Sequence, residues 1–295
     1  PMLGDAWLRL GETLGRLDRN AEAVEALAQA VSMPPGSSSA GTWFQYGQCL
    51  HNLRRLPEAL DAYQHSLRIE PEAPYVLMAA GHTELLQERD EAALAYYEQA
   101  LRLADPVPPG LELHLAMAYQ NCGRWRDSQR AYERLLTLAP NDHLVRWYLS
   151  QCDLALCNWE RGWSNYGARF RAGASPYRPL PFRPWRGEAA PDDTLLILAD
   201  QGLGDEIMFA WCVPDAMARV KHCIVECEPR LERLFRRSFP GVTVIGSDRQ
   251  NNAQWLKGLP EPQWQIFGGD LPALFRTDEA RFAPHTGYLV ADPER

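Results

Sequence analysis

Lysine is almost absent from this sequence of 295 residues, which contains only Lys221 and Lys257 among its 30 basic side chains. The 38 acidic residues give a formal net charge of −8, whereas binding to nucleic-acid phosphates rests on clustered Lys and Arg. No apolar run approaches the roughly 18 residues that a membrane-spanning helix needs. The composition therefore predicts a globular protein whose main partner is neither nucleic acid nor the membrane interior.

The sequence also lacks the cysteine pattern of a small secreted domain stapled by disulfides. Its seven cysteines are odd in number and irregularly spaced. Cys223 and Cys227 share one face of a predicted strand, so we expect them to pack as small hydrophobes. A zinc site needs ligands that converge from separate elements, with histidines nearby, whereas these two cysteines lie on one strand, and we predict no metal site. Because the first residues carry no export signal, we predict a reducing, cytoplasmic location.

The first half of the chain contains an internal repeat. One column of small residues recurs at steps of 36, 34 and 35 residues, at Ala23, Ala59, Ala93 and Ser128. A second column holds Gly11, Gly47, Gly81 and Ala116. This period and these small residues are typical of the tetratricopeptide repeat, a helix pair whose apolar side is covered by the next pair. We predict an α-superhelix over residues 1–172, with a loop at MPPGSSSAG and a degenerate fifth unit that caps the array.

The first helix of each repeat lines the concave surface of such an array. Counting from the marker columns predicts a mixed polar and aromatic lining, made of Phe44, Gln48, His51, Asn52, Tyr75, His82, His114, Met117, Gln120 and Asn121. Asn52 and Asn121 share a column from which an amide can pair with the backbone of an extended peptide. Exposed aromatic side chains favour a peptide or protein ligand, and the alternative is a merely solvated polar face.

The second half has a different pattern. Residues 173–193 carry five prolines, which predict an extended linker, and Tyr177, Phe182 and Trp185 indicate a strap packed on the fold. From 194 to 295, helical patterns alternate with apolar runs of strand length, at 194–199, 222–227, 242–246, 265–267 and 287–291. This alternation predicts a parallel sheet between helices, a Rossmann-like domain.

The glycine-rich turn after the first of these strands allows three interpretations. Gly202, Gly204 and Glu226 match part of a dinucleotide fingerprint, but Ile207 replaces its third glycine and the adjacent carboxylates would repel a pyrophosphate. Alternatively, the glycines only make a tight turn with Asp205 as the helix N-cap. In the third interpretation, Asp205 is a general base at the carboxyl edge of the sheet, where open α/β sheets bind ligands.

Several segments together resemble a known family. The repeats are followed by NWERGWSNYGARFR, a proline-rich strap ending in PWRGE, and LLILADQGLGDEIMFAWCVPD, and the likeness continues to HTGYLVADPER. This combination looks like bacterial tetratricopeptide proteins fused to a heptosyltransferase-like glycosyltransferase. Members of that superfamily have the GT-B fold, in which one Rossmann-like half faces the acceptor and the other holds a nucleotide-sugar donor.

The resemblance implies that residues 194–295 are the N-terminal, acceptor-side half of a GT-B fold. It implies an inverting, metal-independent transfer to a protein, flagellin or another surface protein, that the repeats hold. Asp205 would be the general base, in an acceptor-binding loop made of Gly202, Leu203, Gly204 and Glu206. Relatives continue past the residue matching Arg295 into the donor-binding half, so we expect no cofactor and no turnover for this chain alone. The alternative is a non-catalytic adaptor.

Overall fold

The computed structural model describes residues 2–33, 39–178, 180–249, 253–282 and 287–293. The chain divides into two compact units, Pro1–Leu138 and Ala139–Arg295. The sequence pattern ends the repeat region at residue 172, whereas the last two helices before that point cluster with the second unit. No helix in the described ranges is both long and apolar enough to cross a membrane.

The first unit consists of helices packed in consecutive pairs. Their bounds are α1 Met2–Arg16, α2 Asn20–Val31, α3 Ala40–Asn52, α4 Leu56–Ile69, α5 Pro74–Leu85, α6 Asp90–Leu103, α7 Leu111–Asn121 and α8 Trp125–Leu138. Most of the predicted loop between α2 and α3, residues 34–38, lies outside the described residues. The pairing α1 with α2, α3 with α4, α5 with α6 and α7 with α8 is that of a tetratricopeptide superhelix.

The small residues of the repeat columns lie where the two helices of a pair cross. A Cβ atom added to Gly47 would stand 2.6 Å from Cε1 of Tyr63, and one added to Gly81 would stand 2.9 Å from Cε1 of Tyr97. Both tyrosines are buried. The glycine on the first helix therefore makes room for the ring of the second helix, which explains why small residues and aromatics recur in phase.

The second unit begins with a helix pair, α9 His143–Ala155 and α10 Trp159–Tyr166. The strands that follow are β1 Arg183–Pro184, β2 Ala190–Leu198, β3 Val220–Cys227, β4 Thr243–Gly246 and β5 Trp264–Phe267. The helices between and after them are α11 Leu203–Phe209, α12 Val213–Met217, α13 Glu232–Ser238 and α14 Leu271–Phe275. Trp163 and Tyr166 of α10 pack against Phe209 of α11, which is why the helix pair groups with the sheet.

The sheet is parallel in all its pairings and has the order β1-β5-β2-β3-β4. Ile197 of β2 lies opposite Val225 of β3 on one side and Ile266 of β5 on the other. The chain moves outward from β2 to β4 and then returns to the far side of β2. The carboxyl ends of β2 and β5 thus meet where the strand order reverses, the usual position of a ligand site in an open α/β sheet.

Two features of the second unit differ from the sequence-based predictions. The strap is part of the sheet, because its residues Arg183–Pro184 form the edge strand β1 beside β5. Trp185 of the strap is buried, but Tyr177 is 61% exposed. The predicted strand at 287–291 is wrong. Tyr288 Oη donates to the carbonyl of Ile207 on α11 (2.7 Å), and the backbone of Val290 bonds to Ser238 on α13, so the segment runs over helices.

Cys223 and Cys227 are both buried in the hydrophobic core beside the sheet, as their spacing predicts. Burial raises the pKa of each thiol to about 12. Within the described ranges, no three His, Cys, Asp or Glu side chains are grouped in a way that could hold a metal ion.

Candidate functional site

A groove of about 450 Å³ opens on the first helices of successive repeats. Its lining comes mainly from α3, α5 and α7 and consists of Gln48, His51, Asn52, Tyr63, Met78, Ala79, His82 and His114. The helices lie side by side because each repeat stacks on the next.

Half of the predicted groove residues line this groove, and half lie elsewhere. Gln48, His51, Asn52, His82 and His114 belong to the lining, while Phe44, Tyr75, Met117, Gln120 and Asn121 do not. The ring of Phe44 packs 5.9 Å from the ring of Tyr63, and Tyr75 is exposed at the start of α5. Met78, which the column count misses, precedes His82 by four residues and so shares its helix face.

The amide side chains mostly connect neighbouring helices. Asn52 Nδ2 donates to Asn20 Oδ1 (3.2 Å), and Asn121 Nδ2 donates to Asp90 Oδ1 (2.8 Å). Gln120 Oε1 accepts from the hydroxyl of Tyr132 at 3.2 Å. The amide nitrogens of the two asparagines are therefore used within the repeat array.

Three histidines from three different helices run along the groove, and we call them the histidine ladder. The ring centroids of His51 and His82 are 5.1 Å apart, and those of His82 and His114 are 5.5 Å apart. The ring of Tyr97 stacks 5.8 Å from that of His114. Burial lowers the pKa of each ladder histidine from its ordinary value of 6.5. The three rings are therefore mainly neutral at pH 7.

The second candidate site lies after β2, at the carboxyl edge of the sheet. Gly202 is the N-cap of α11, and Asp205 stands three residues later, where its Oδ2 accepts from the Gly202 N–H at 3.0 Å. The interpretation of Asp205 as the N-cap residue is therefore wrong by three positions, although its carboxylate does cap the helix by reaching back. Asp205 is half-buried and borders an open cleft of about 600 Å³ together with Tyr166 and Gln201.

The neighbouring acid, Glu206, points to a different environment. It is buried, its Oε2 accepts from the backbone N–H of Glu228 at 2.8 Å, and its Oε1 forms an ion pair with Arg249. Burial raises the pKa of Glu206, and the bonds to Glu228 and Arg249 oppose that rise. Asp205 rather than Glu206 thus faces the cleft.

The other two residues of the predicted loop have different surroundings. Leu203 is half-buried and packs against the core of the second unit. Gly204 is exposed, and a Cβ atom added to it would meet no heavy atom of the described residues within 4 Å. The fold therefore does not need glycine at this position for space.

Sequence inspection misses a buried arginine at the carboxyl edge of the sheet. Arg169, from the segment after α10, is fully buried and pairs with Asp200 after β2 (Nη2 to Oδ2, 2.8 Å) and with Asp270 after β5 (Nη1 to Oδ1, 2.7 Å). Its guanidinium also lies 4.1 Å from the ring centroid of Phe170. An aspartate soon after each of two strands, in ILAD and FGGD, was the available signal for a charged edge.

A hydroxyl group holds the turn itself. Tyr166 Oη donates to Gln201 Oε1 at 2.6 Å, and burial raises the pKa of Tyr166 to about 12, which keeps its proton in place. Gln201 has a left-handed φ of 60°, a conformation that costs free energy for a residue other than glycine. Tyr166 and Arg249, which donates to the Gln201 carbonyl, hold this residue from both sides.

The acidic residue of the dinucleotide fingerprint, Glu226, already has partners within the protein. Glu226 is buried and pairs with Arg178 of the strap, with 2.8 Å between Nη1 and Oε1. Its Oε2 also accepts from the backbone N–H of Ala199 at 3.0 Å. Glu226 is consequently unavailable to a ribose hydroxyl.

Comparison with known proteins identifies the first unit. Three tetratricopeptide-repeat family models match residues 8–74, 74–105 and 113–150. The solved structure of MamA from Desulfovibrio magneticus superimposes with a TM-score of 0.53 at 15% identity, over 59% of this chain and 97% of that one. YrrB, described as a TPR protein with an unusual peptide-binding site, superimposes with a TM-score of 0.52 at 15% identity. The match covers 57% of this chain and 85% of YrrB. At these identities the likeness shows the fold alone.

Two curated proteins are similar in sequence. Protein FlbA of Caulobacter vibrioides is 29% identical over an alignment 295 residues long. The alignment covers 96% of this chain and 44% of FlbA. The general transcriptional corepressor ssn6 of Schizosaccharomyces pombe is 28% identical over 138 residues, or 46% of this chain and 12% of that protein. The chain thus spans less than half the length of these relatives. Within it, residues 8–105 and 113–150 are tetratricopeptide repeats.

Proposed function

We propose that the chain is the substrate-recognition and acceptor-side part of a protein glycosyltransferase. In this proposal the repeats, within residues 1–172, bind an extended segment of the acceptor protein. The strap at 173–193 leads into the acceptor-side half of a GT-B fold at 194–295. The observation that carries the catalytic part is the half-buried carboxylate of Asp205, which borders an open cleft at the carboxyl edge of the sheet while Glu206 is paired.

Strand order supports the assignment of this half. From β4 through β3 and β2 to β5, the sheet follows the order 3-2-1-4 found in one part of a Rossmann fold. The turn after the central strand β2 then corresponds to the ligand-binding turn of such folds. The likeness to FlbA extends over both units of the chain, which supports treating them as parts of one protein.

Asp205 is suited to act as a general base. One of its oxygens, Oδ2, is held by the Gly202 N–H, which leaves Oδ1 for the proton of an acceptor hydroxyl. As the hydroxyl oxygen forms a bond to the anomeric carbon of the sugar, its proton passes to Asp205 and the bond to the nucleoside diphosphate breaks. The negative charge that develops on the diphosphate needs cationic side chains and helix N-termini, which we assign to a donor-binding half outside these residues.

The test replaces each of the two adjacent acids in a polypeptide that also contains the donor-binding half. Asp205→Asn retains an oxygen for the Gly202 N–H but cannot accept the proton, so we expect kcat to fall at least about 100-fold with little change in the unfolding midpoint. Glu206→Gln is the matched neighbour, and its expected effect is a lower unfolding midpoint with turnover of the folded protein retained. Full turnover of the Asp205→Asn enzyme would exclude this residue as the base.

A non-catalytic adaptor is the second candidate function, and the groove on the repeats favours it equally. The repeats of YrrB provide a peptide-binding precedent for the fold. The two functions differ in their products. If the longer polypeptide binds an acceptor protein through the groove but transfers no sugar from any common nucleotide-sugar donor, mass spectrometry of the acceptor will show no added sugar of any mass and the adaptor function stands.

A further inference from the structure

The groove has an unusual distribution of charge. Its lining contains the three histidines of the ladder and no carboxylate among the described residues. Glu84, the acidic residue of α5 next in sequence to the ladder, is buried and pairs with Arg89 at 3.4 Å. Among the described residues, the other ionisable groups that line the groove, stack on the ladder or interact electrostatically with it are Arg54 after α3, Tyr63 from α4 and Tyr97 from α6. Protonation of the rings would therefore create positive charge that no described carboxylate in the groove neutralises.

Hydrogen bonding defines the proton position on one ring of the ladder. The hydroxyl of Thr83 donates its single proton to the carbonyl of Ala79 at 2.8 Å, so it accepts from His51 Nδ1 at 2.9 Å. In the neutral ring, Nε2 of His51 is then an acceptor, which repels a carboxylate oxygen. When the ring binds a second proton, Nε2 becomes a donor and the ring becomes cationic. A carboxylate ligand gains a charge-assisted hydrogen bond only in that state.

The distances between the ladder rings also favour an anionic ligand once the rings are protonated. Neighbouring rings are 5.1 and 5.5 Å apart, so two protonated rings repel each other unless an anion lies between them. His114 Nδ1 is buried and has no hydrogen-bond partner among the described residues, so a ligand in the groove cannot reach that atom and meets the ring elsewhere. Arg54 adds a permanent positive charge near His51 and His82.

We propose that the groove selects a partner segment that carries several carboxylate side chains, and that binding is coupled to proton uptake by the histidine ladder. This inference rests on the proposed binding of a peptide segment in the groove and names the chemical class of that segment. A carboxylate beside the ladder favours the protonated rings, and the added charge in turn holds the carboxylate. Binding of an acidic segment should therefore tighten as the pH falls.

The direction of the pH dependence follows from linkage. Each ladder histidine has a pKa below 6.5 in the free protein, and a bound carboxylate raises it. The gain in affinity is complete below the free-state pKa and is lost as the pH rises through the bound-state pKa. Glutamate side chains, with an ordinary pKa of about 4.3, remain largely ionised in this window.

The experiment uses the intact chain and two blocked peptides, hexaglutamate and hexaglutamine. Calorimetry near pH 8 and near pH 5.5 should show that hexaglutamate binds about tenfold more tightly at the lower pH, because a rise of one unit in a histidine pKa corresponds to a tenfold change in affinity. The apparent enthalpy should vary with the ionisation enthalpy of the buffer, which reports net proton uptake. Hexaglutamine should show neither effect. NMR titration of the histidine ring protons should locate the raised pKa values in the ladder.

The variants separate the ladder from other histidines. The triple variant with His51→Gln, His82→Gln and His114→Gln should remove the pH dependence of hexaglutamate binding, and each single variant should reduce it. His65→Gln is the matched control, because this exposed ring stacks on Trp43, with 4.2 Å between centroids, and does not line the groove. Circular dichroism at both pH values checks that each variant is folded.

Two results would overturn the inference. Equal, pH-independent binding of the two peptides would show that the groove binds peptides without selecting carboxylates, and the proposed function would survive. Absence of hexaglutamate binding at both pH values would also refute carboxylate selection. The proposed function is then judged separately, by calorimetry of an acceptor protein with the same ladder variants.

Discussion

Arg169 and Asp200 form an ion pair that is buried on both sides, with 2.8 Å between Nη2 and Oδ2. The other terminal nitrogen of Arg169 bonds to Asp270, which follows β5. One side chain thus joins the segment after α10 to the ends of two adjacent strands. Asp200 immediately precedes the turn that carries Asp205, and we infer that the ion pair holds that turn in position.

Removal of Arg169 should destabilise the second unit. Arg169→Met keeps much of the side-chain volume but leaves Asp200 buried without its cation, which costs about 3 to 5 kcal/mol. Hydrogen exchange of the β2 and β5 amides should accelerate accordingly. Arg171→Met, two residues later and exposed, should change stability by less than about 0.5 kcal/mol. Equal protection of β2 in the two variants would show that the buried pair does not hold the strand ends.

A glycine-to-alanine substitution at a helix crossing inside a repeat should destabilise the folded chain. In an open helix position this change stabilises by about 1 kcal/mol. At Gly47, however, the new methyl group would stand 2.6 Å from the ring of Tyr63, and overpacking of this kind costs about 1 to 3 kcal/mol. We expect a lower unfolding midpoint in urea. A midpoint at or above that of the parent chain would mean that the two helices can separate without cost.

The same substitution at Gly204 tests the loop rather than the fold. The Cβ of an alanine there meets no heavy atom within 4 Å in the described part of the chain, so stability should be unchanged or higher by up to about 1 kcal/mol. If the glycine lets an acceptor approach the backbone, the Gly204→Ala form of the longer enzyme should bind acceptor more weakly at unchanged stability. Unaltered acceptor affinity would limit the role of Gly204 to the turn.

The repeat unit should lose stability in mild acid. Burial lowers the pKa of His51, His82 and His114 in the folded chain, so the unfolded state binds more protons as the pH falls through about 6.5. The free energy of unfolding must therefore decrease on acidification. Urea midpoints between about pH 8 and pH 5 should show this slope, and the triple glutamine variant of the ladder should have a shallower one. The His65→Gln control should retain most of the slope of the parent chain.

Residues 1–295 alone should neither bind a nucleotide sugar tightly nor transfer one. The turn after β2 presents the Asp205 carboxylate, which would repel a diphosphate. The arginines of α13 and of the segment before it offer little positive charge to a diphosphate. Arg230 and Arg236 are largely exposed, and they pair with Glu228 and Glu232 respectively. Calorimetry with common nucleotide sugars should give no stoichiometric heat. Tight binding or measurable transfer would refute the acceptor-half assignment and return nucleotide recognition to the glycine turn.

The element types follow from local sequence patterns. The 34- to 36-residue steps of Ala23, Ala59, Ala93 and Ser128 predict the helix pairs, because each pair needs small residues at its own crossing. The alternation of apolar runs with helical segments likewise predicts five strands. Four of them are present, as β2 to β5, and all pairings in the sheet are parallel. The segment at 287–291 has the composition of a strand but packs on helices, since its polar groups bond to Ile207 and Ser238.

Only the tertiary structure decides which polar side chains remain available for function. Asp205 and Glu206 are equivalent as sequence neighbours, and Arg249, 43 residues further along, pairs with Glu206 and leaves Asp205 at the cleft. Arg169 is unremarkable in the sequence and becomes fully buried because two strand ends 31 and 101 residues away supply carboxylates. The histidine ladder likewise arises from three helices that contribute one ring each. Periodicity determines local elements because they depend on nearby residues, whereas charge pairing depends on distances that only the packed chain sets.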